Sequence, residues 1–406
     1  MPPYLISTDR GDVGLRILIV TSRFPYPSWR GNQVRTSEWL AALKDHQRVV
    51  VCPNPDGIDD ARRLRDEGIE AVVYANSNAG RVAGIAGAIA GGNPLQEGLY
   101  ATSAAKRAVA RAVAEARPEV AVIQMVRCGW AVDVIQRAAG SVPIVFDAID
   151  AMGLHFDRAA AFVSPAVRTF YRSEAVRCRR RELALARIAT ITTAVSSRDL
   201  IALQPTDGRV IPVAGREVEA GGADNGAPSV LLSGNLGYRP TVQGALWFAR
   251  EVWPAVRARV PDARWILAGA RPVAAVRRLE RLPGVEVHAD VPDLAAFLGR
   301  ATVSIAPMME GSGVPMKVLE AWAAGVPVVG QPWAADGLEA GARGAMVIAE
   351  EAGQWQEALC SLLNDPEAAR RRAELGRASW RDWYHPNRVA QLVRDVVDQA
   401  AEGPER

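Results

Sequence analysis

The strongest constraint on the fold is a series of short, continuously apolar runs separated by stretches of helical periodicity. The runs cover residues 16–22, 48–53, 71–75, 120–125, 144–147 and 188–195, then 230–235, 265–268, 285–288, 302–307, 326–330 and 345–348. Those at 302–307 and 326–330 are continuously apolar rather than alternating, which predicts strands covered on both faces, as in a parallel sheet, and the others read as further strands of the same kind. Strands that alternate with helices place those helices on both sides of the sheet. The series breaks once, at residues 204–229, where Gly, Pro, Ala and charged side chains take over and a linker is expected. After the strand that follows, Tyr238-Arg239-Pro240 leads into a helix expected over 242–260. The predicted class is α/β, with two doubly wound, Rossmann-like domains.

Between the runs at 302–307 and 326–330 lies Glu310-Gly311-Ser312-Gly313-Val314-Pro315-Met316-Lys317-Val318-Leu319-Glu320-Ala321-Trp322. Pro315 suits the first turn of a helix and Gly325 the position just past its end. A glycine turn feeding a helix start presents backbone N–H groups and the positive end of the helix dipole, which suits an anion such as phosphate. At 100° per residue, Lys317, Glu320, Ala321 and Ala324 share one face, and Val318, Leu319 and Trp322 lie on the other. Lys317 can then meet a diphosphate and Glu320 can accept from sugar hydroxyls. The plain structural alternative is a surface pair at i,i+3, worth only tenths of a kcal/mol.

Composition excludes several classes. The chain has 406 residues, 49% apolar and 23% charged, as expected of a globular protein of two or three domains. A net charge of +3 is too small to argue for a nucleic-acid partner. No window approaches the ~20 apolar residues of a membrane span, and residues 1–14 lack the pattern of a secretory signal. Residues 82–90 are apolar but short, and a helix or mobile loop is expected there. Cys52, Cys128, Cys178 and Cys360 are scattered, which fits a reducing compartment. His46, His155, His288 and His385 are isolated, and no Asp-x-Asp occurs, so no metal site is expected. The first strand is followed by Arg23-Phe24-Pro25-Tyr26-Pro27 rather than Gly-x-Gly-x-x-Gly, which argues against a dinucleotide enzyme.

Glu310-Gly-x-Gly-x-Pro315, then Leu319-Glu320-Ala321 and Ala324-Gly-x-Pro-Val-Val329, resembles the donor-site signature of retaining glycosyltransferases of the GT-B fold, family 4 (glycosyl transferases group 1), of bacterial type. The resemblance spans nearly the whole chain and is strongest over residues 230–330. It implies that the two domains face each other across a cleft, and that Glu310 approaches the donor sugar. Gly311, Ser312, Gly313 and Val314 then approach sugar and phosphate, and Glu320 holds the ribose, with Val318 and Leu319 in the same donor-binding stretch. Nine residues separate the two glutamates, two more than the commonest family spacing, and the extra pair falls around Met316-Lys317.

Elsewhere the resemblance implies donor contacts from Gly31 after the first strand, from Gly234 at the end of the second domain's first strand, and from the backbone near Val291 for the nucleobase. Arg239 is one member of a basic pair for the diphosphate. Its Lys partner is missing, and Lys317 is expected to supply that charge. Arg30 and Arg35 are further candidate anion contacts. Where family members carry a His followed by an Asp, this chain has Ile149 and Asp150, which leaves Asp147 and Asp150 as catalytic candidates beside Lys317 and Glu310. Gln96, Arg127 and His155 are the acceptor-side candidates. Residues 380–386 resemble the break at which a last helix crosses back. The expected division is residues 1–210 for the first domain, 211–228 for the linker and 229–380 for the second domain, with residues 381–406 completing the first.

The implied reaction moves a hexose or amino sugar from a UDP-, GDP- or dTDP-linked donor to a hydroxyl acceptor, with retention. The acceptor is a polysaccharide, a lipid-linked glycan or a natural product, and no cofactor beyond the nucleotide sugar is needed. A nucleotide-sugar epimerase of the same fold and a non-catalytic sugar-nucleotide binder are the alternatives. The arginine-rich region 158–187 can hold anionic head groups. The expected location is therefore cytoplasmic, either free or peripheral at the inner face of the membrane.

Overall fold

The computed structural model describes residues 14–28, 30–54, 60–218, 226–309 and 313–403. They form two parallel sheets. The first contains β1 (Arg16–Val20), β2 (Gln47–Pro53), β3 (Glu70–Tyr74), β4 (Val120–Gln124), β5 (Ile144–Ile149), β6 (Ile191–Ala194) and β7 (Gly208–Val210), in the order β3-β2-β1-β4-β5-β6-β7. The second contains β8 (Ser229–Asn235), β9 (Arg264–Ala270), β10 (Val285–Ala289), β11 (Val303–Ala306), β12 (Val328–Gly330) and β13 (Val347–Ile348), in the order β10-β9-β8-β11-β12-β13. Both sheets reverse direction next to their first strand, the doubly wound arrangement, which opens a crevice at the carboxyl ends of the central strands. The α/β class and its two doubly wound domains are therefore what the chain forms.

Continuous burial explains the continuous apolar runs. Every residue of β4 and β5 is buried, because helices cover both faces of the first sheet. One face packs Leu18, Val51, Ile123 and Phe146 against Val109, Val113 and Ile135. The other packs Ile17, Ile19 and Val122 against Trp39 and Leu40 of the helix Gly31–Ala42. The apolar stretch at 82–90 lies in a helix, Asn78–Gly91.

Three local expectations are corrected. The stretch read as linker from residue 204 holds an edge strand, β7, whose three residues are each half-buried against β6, so no apolar run announces it. The helix expected over 242–260 is two, Arg239–Glu251 and Trp253–Arg259. Pro254 sits in the first turn of the second, where its missing N–H costs nothing, but within one longer helix it would remove a bond. Residues 188–190, read as strand, finish the helix Pro165–Ile188 and its exit.

The chain crosses between domains twice, at one place. Residues 211–218 lead outward. A π-turn, Trp380–Tyr384, then starts the return helix Pro386–Glu402. Val389, Val393, Val396, Val397 and Ala400 of that helix belong to the first domain's core, with Trp39 and Leu43. The two crossings are tied by Gly215 N donating to Tyr384 O at 2.8 Å and by His385 Nε2 3.3 Å from Glu217 Oε1.

Candidate functional site

Strand ends position the site. Gly234, next to last in β8, has a φ of +113° that only glycine adopts easily. Its neighbour in register is Gly269 on β9, where a Cβ would come within 1.7 Å of Gly234 O. Two small strand ends side by side leave a cleft of about 690 Å³, bounded also by Asn235, Val291, Pro292, Leu294 and Glu320. Arg216, from the interdomain segment, lines the same cleft.

The helix Met316–Ala323 starts after Pro315 and ends at Gly325, whose φ of +73° is the left-handed exit expected there. Val318, Leu319 and Trp322 are fully buried in the core. The side chains of Val318 and Leu319 pack in the second domain's core, so a donor contact from either would run through its backbone. Ala321 is fully buried as well, so the small-residue side of the helix packs rather than flooring the cleft.

Lys317 and Glu320 are half-buried residues one turn apart. Lys317 Nζ itself is buried and has no hydrogen-bond partner among the described residues. Burial pulls its pKa down to about 8, partly opposed by Glu320. Burial likewise pushes the Glu320 carboxyl up, opposed first by Arg216 and then by Lys317. The surface-pair alternative is therefore excluded: an exposed lysine would hydrate its ammonium, and this one is cut off from water with no partner among the described residues. Glu310, Gly311 and Ser312 lie outside the described residues.

Gly313 has φ +99°, and a Cβ there would lie 3.5 Å from Asp150 Oδ1. Asp150 directly follows β5 in the first domain, so the glycine turn of one domain meets a carboxylate of the other. Val314 packs against the cores of both domains. Burial, and then the charge of Asp199, push Asp150 up to about 6. Met125, just after β4, and Ile149, the last residue of β5, have φ +65° and +63°. For a β-branched residue this is a strained conformation, of the kind that gathers at ligand sites.

Asp147 does not join this cleft. It is fully buried, accepts from Arg35 Nη2 at 2.9 Å and Nε at 3.1 Å, and also takes Thr193 Oγ1 at 2.8 Å and Gln124 Nε2 at 3.2 Å. Arg35 gives its remaining arm to Pro212 O at 3.0 Å. Both expectations are corrected for one reason: the carboxylate and the guanidinium satisfy each other inside the sheet, leaving nothing for an acceptor or an anion.

The other candidates fall as follows. Gly31 is exposed at the start of its helix, with open space around its Cβ position. Arg239 opens the helix after β8 but reaches across to the first domain, where Nη2 donates to Phe162 O at 2.8 Å. Gln96 and Arg127 are brought together, Arg127 Nε donating to Gln96 Oε1 at 2.8 Å, while Gln96 Nε2 meets Cys178 Sγ at 3.0 Å. His155 stands edge-on to Phe156, and burial lowers its pKa, with Arg127 adding to the effect. The start of the helix Met152–Ala159 is already occupied: Glu182 accepts from Met152 N at 2.6 Å and Gly153 N at 3.0 Å. Among the described residues no group of three or more His, Cys, Asp or Glu is placed to hold a metal ion.

The domains also touch beside the cleft. Ser197 donates from N and Oγ to Glu339 at 3.0 and 2.7 Å, and Arg158 lies 3.4 Å from Asp336 and over the ring of Trp333.

Sequence reasoning missed Gly269, although it stands next to last in its strand as Gly234 does. It also missed Arg216, which stands in a stretch without periodicity, and Glu182, whose partner lies 30 residues away.

Known proteins resemble this chain in sequence over its second domain and in fold over nearly its whole length. Residues 227–365 match the family model described as "Glycosyl transferases group 1". No curated protein matches the chain. Among solved structures, sucrose-phosphate synthase from Thermosynechococcus elongatus superimposes with a TM-score of 0.65 at 15% identity, covering 95% of this chain and 98% of that one. Anabaena Alr3699/HepE, solved with UDP and glucose, gives 0.61 at 13% identity, over 95% and 100%. The α,α-trehalose 6-phosphate synthase of Burkholderia multivorans gives 0.63 at 14%, over 97% and 99%. At such identities the likeness shows the fold, which is GT-B.

Proposed function

We propose that the protein is a retaining glycosyltransferase of family 4 that takes a hexose or amino sugar from a nucleoside diphosphate and gives it to a hydroxyl acceptor. The observation that carries the reading is Lys317: a buried ammonium with no hydrogen-bond partner among the described residues, one turn from a carboxylate that lines the cleft. A buried cation is costly unless an anion meets it, and a diphosphate is such an anion. The matched family model over the second domain and the UDP complex of a structural neighbour support the same donor class.

In this reading the ribose hydroxyls donate to Glu320, the base lies along Val291 and Leu294, and the diphosphate lies by the Gly234 and Gly313 turns. As the bond from the anomeric carbon to the diphosphate oxygen breaks, negative charge grows on the leaving group, and Lys317 stabilises it more strongly than in the ground state. Asp150, opposite Gly313, faces the reacting sugar, where its carboxylate steadies positive charge or orients the attacking hydroxyl. The acceptor enters from the first domain, past the Arg127–Gln96 pair.

The test is incubation with UDP-, GDP- and dTDP-sugars, following release of free nucleoside diphosphate with and without an acceptor alcohol. Release that depends on one base and one sugar, with the product keeping the donor's anomeric configuration, supports the reading. Interconversion of the nucleotide sugar without release marks an epimerase. Binding without either marks a non-catalytic binder.

A further inference from the structure

Sixteen large apolar side chains are exposed among the described residues, and six of them lie on just two helices of the first domain: Val82, Ile89, Val167, Phe170, Val176 and Ile188. The helix Asn78–Gly91 is built almost wholly of Gly, Ala, Val and Ile, yet Ala88 is its only buried residue. Val82 and Ile89 are 67% and 57% exposed and two turns apart, on one face. A helix this apolar normally faces a core.

The neighbouring helix Pro165–Ile188 carries many arginines, and the structure sorts them. Arg168 bonds Ala160 O, Arg177 pairs with Glu174, Arg179 with Asp157 and Arg181 with Glu97. The remaining ones fall in a stripe, Arg172-Val176-Arg180-Leu183-Arg187, with steps of three or four residues, so cations alternate with apolar side chains along one face. The two helices meet: a Cβ on Gly92, which caps the apolar helix, would lie 3.6 Å from both terminal nitrogens of Arg180.

We propose that this double face docks the protein on an anionic lipid bilayer. Long arginine stems lie along apolar surface and carry the guanidinium out to phosphate level, while Val82, Ile89 and Val176 enter the headgroup boundary. Charge complementarity selects the occupant. A second copy would set arginine stripe against arginine stripe, and an RNA would pair the guanidiniums but leave the valines and isoleucine in water. No described helix is long and apolar enough to cross a membrane, so attachment is to one leaflet. The inference does not depend on the donor chemistry and can fail or hold separately from it.

The experiment is co-sedimentation of the full chain with phosphatidylcholine vesicles, with and without phosphatidylglycerol. The protein is expected to pellet with the anionic vesicles only, and to be released by high salt. Arg172→Gln with Arg180→Gln, and separately Val82→Ser with Ile89→Ser, should each weaken the anionic binding about tenfold or more. Circular dichroism and nucleoside diphosphate affinity should stay unchanged. Absence of pelleting, equal pelleting with both vesicle types, or normal pelleting of both folded variants would overturn the proposal. So would a concentration-dependent dimer that either variant abolishes, or tight binding to soluble RNA that competes off the vesicles.

Discussion

Replacing Lys317 with methionine should make the protein more stable and a poorer catalyst, two effects of opposite sign from one change. Burial lowers this ammonium's pKa from 10.5 to about 8. At ~1.4 kcal/mol per unit, holding the charge inside costs about 3 kcal/mol at neutral pH. The folded pKa lies below the unfolded one, so the unfolded chain holds the proton more tightly. The cost is full below pH about 8 and fades as pH rises to about 10.5. Methionine keeps most of the volume and removes the charge. The value of about 8 already includes the attraction to Glu320, so the net gain should be up to about 3 kcal/mol. Urea unfolding of both proteins measures it, and the gap should narrow between neutral pH and pH about 10. Because the lysine's contact strengthens as the diphosphate leaves, turnover should drop about ten- to a hundredfold, with donor binding falling less. Lys317→Arg should recover part of it. A methionine variant no more stable than the parent, with normal turnover, would refute the reasoning.

Asp150→Asn should lower turnover by about tenfold or more with nucleotide affinity kept. In the parent, turnover should rise as pH passes about 6, because the raised pKa delays ionisation, and the pH–rate profile of the variant should lack that limb. Glu320→Ala should weaken nucleoside diphosphate binding at least about tenfold by calorimetry, and Arg216→Ala should weaken it in the same assay, more so at acid pH, since Glu320 then protonates more readily. Arg35→Met should cost about 3–5 kcal/mol in urea unfolding by stranding Asp147, whereas the double variant with Asp147→Asn should recover much of the loss.

Much of this architecture is legible in the chain because burial on both faces of a parallel strand leaves a signature that needs no partner to be read: Val120 to Gln124 and Ile144 to Ile149 are apolar runs for that reason. β7 escapes because an edge strand of three half-buried residues need not be apolar. For the site, Lys317 and Glu320 are readable from their spacing on one helix, and Gly234 from its place at a strand end. Asp147 misleads because a buried partner 112 residues away decides its role, and spacing within one segment says nothing of that. Arg216 and Glu182 are invisible for the same reason. The strain at Ile149 is invisible too, since a β-branched residue gives no warning that its backbone is left-handed. The arginine-rich segment shows the limit most plainly: its charge is obvious in the sequence, but which arginines are tied inward and which face out depends on Glu97, Asp157 and the carbonyl of Ala160.

The most direct test of the central claim is a co-crystal structure with the nucleoside diphosphate that the release assay selects. The account predicts the ribose hydroxyls on Glu320, the base along Val291, and the phosphates beside Gly234 and Gly313, within reach of Lys317 Nζ. A nucleotide bound elsewhere on the molecule, or one that leaves Lys317 without a partner, would contradict it.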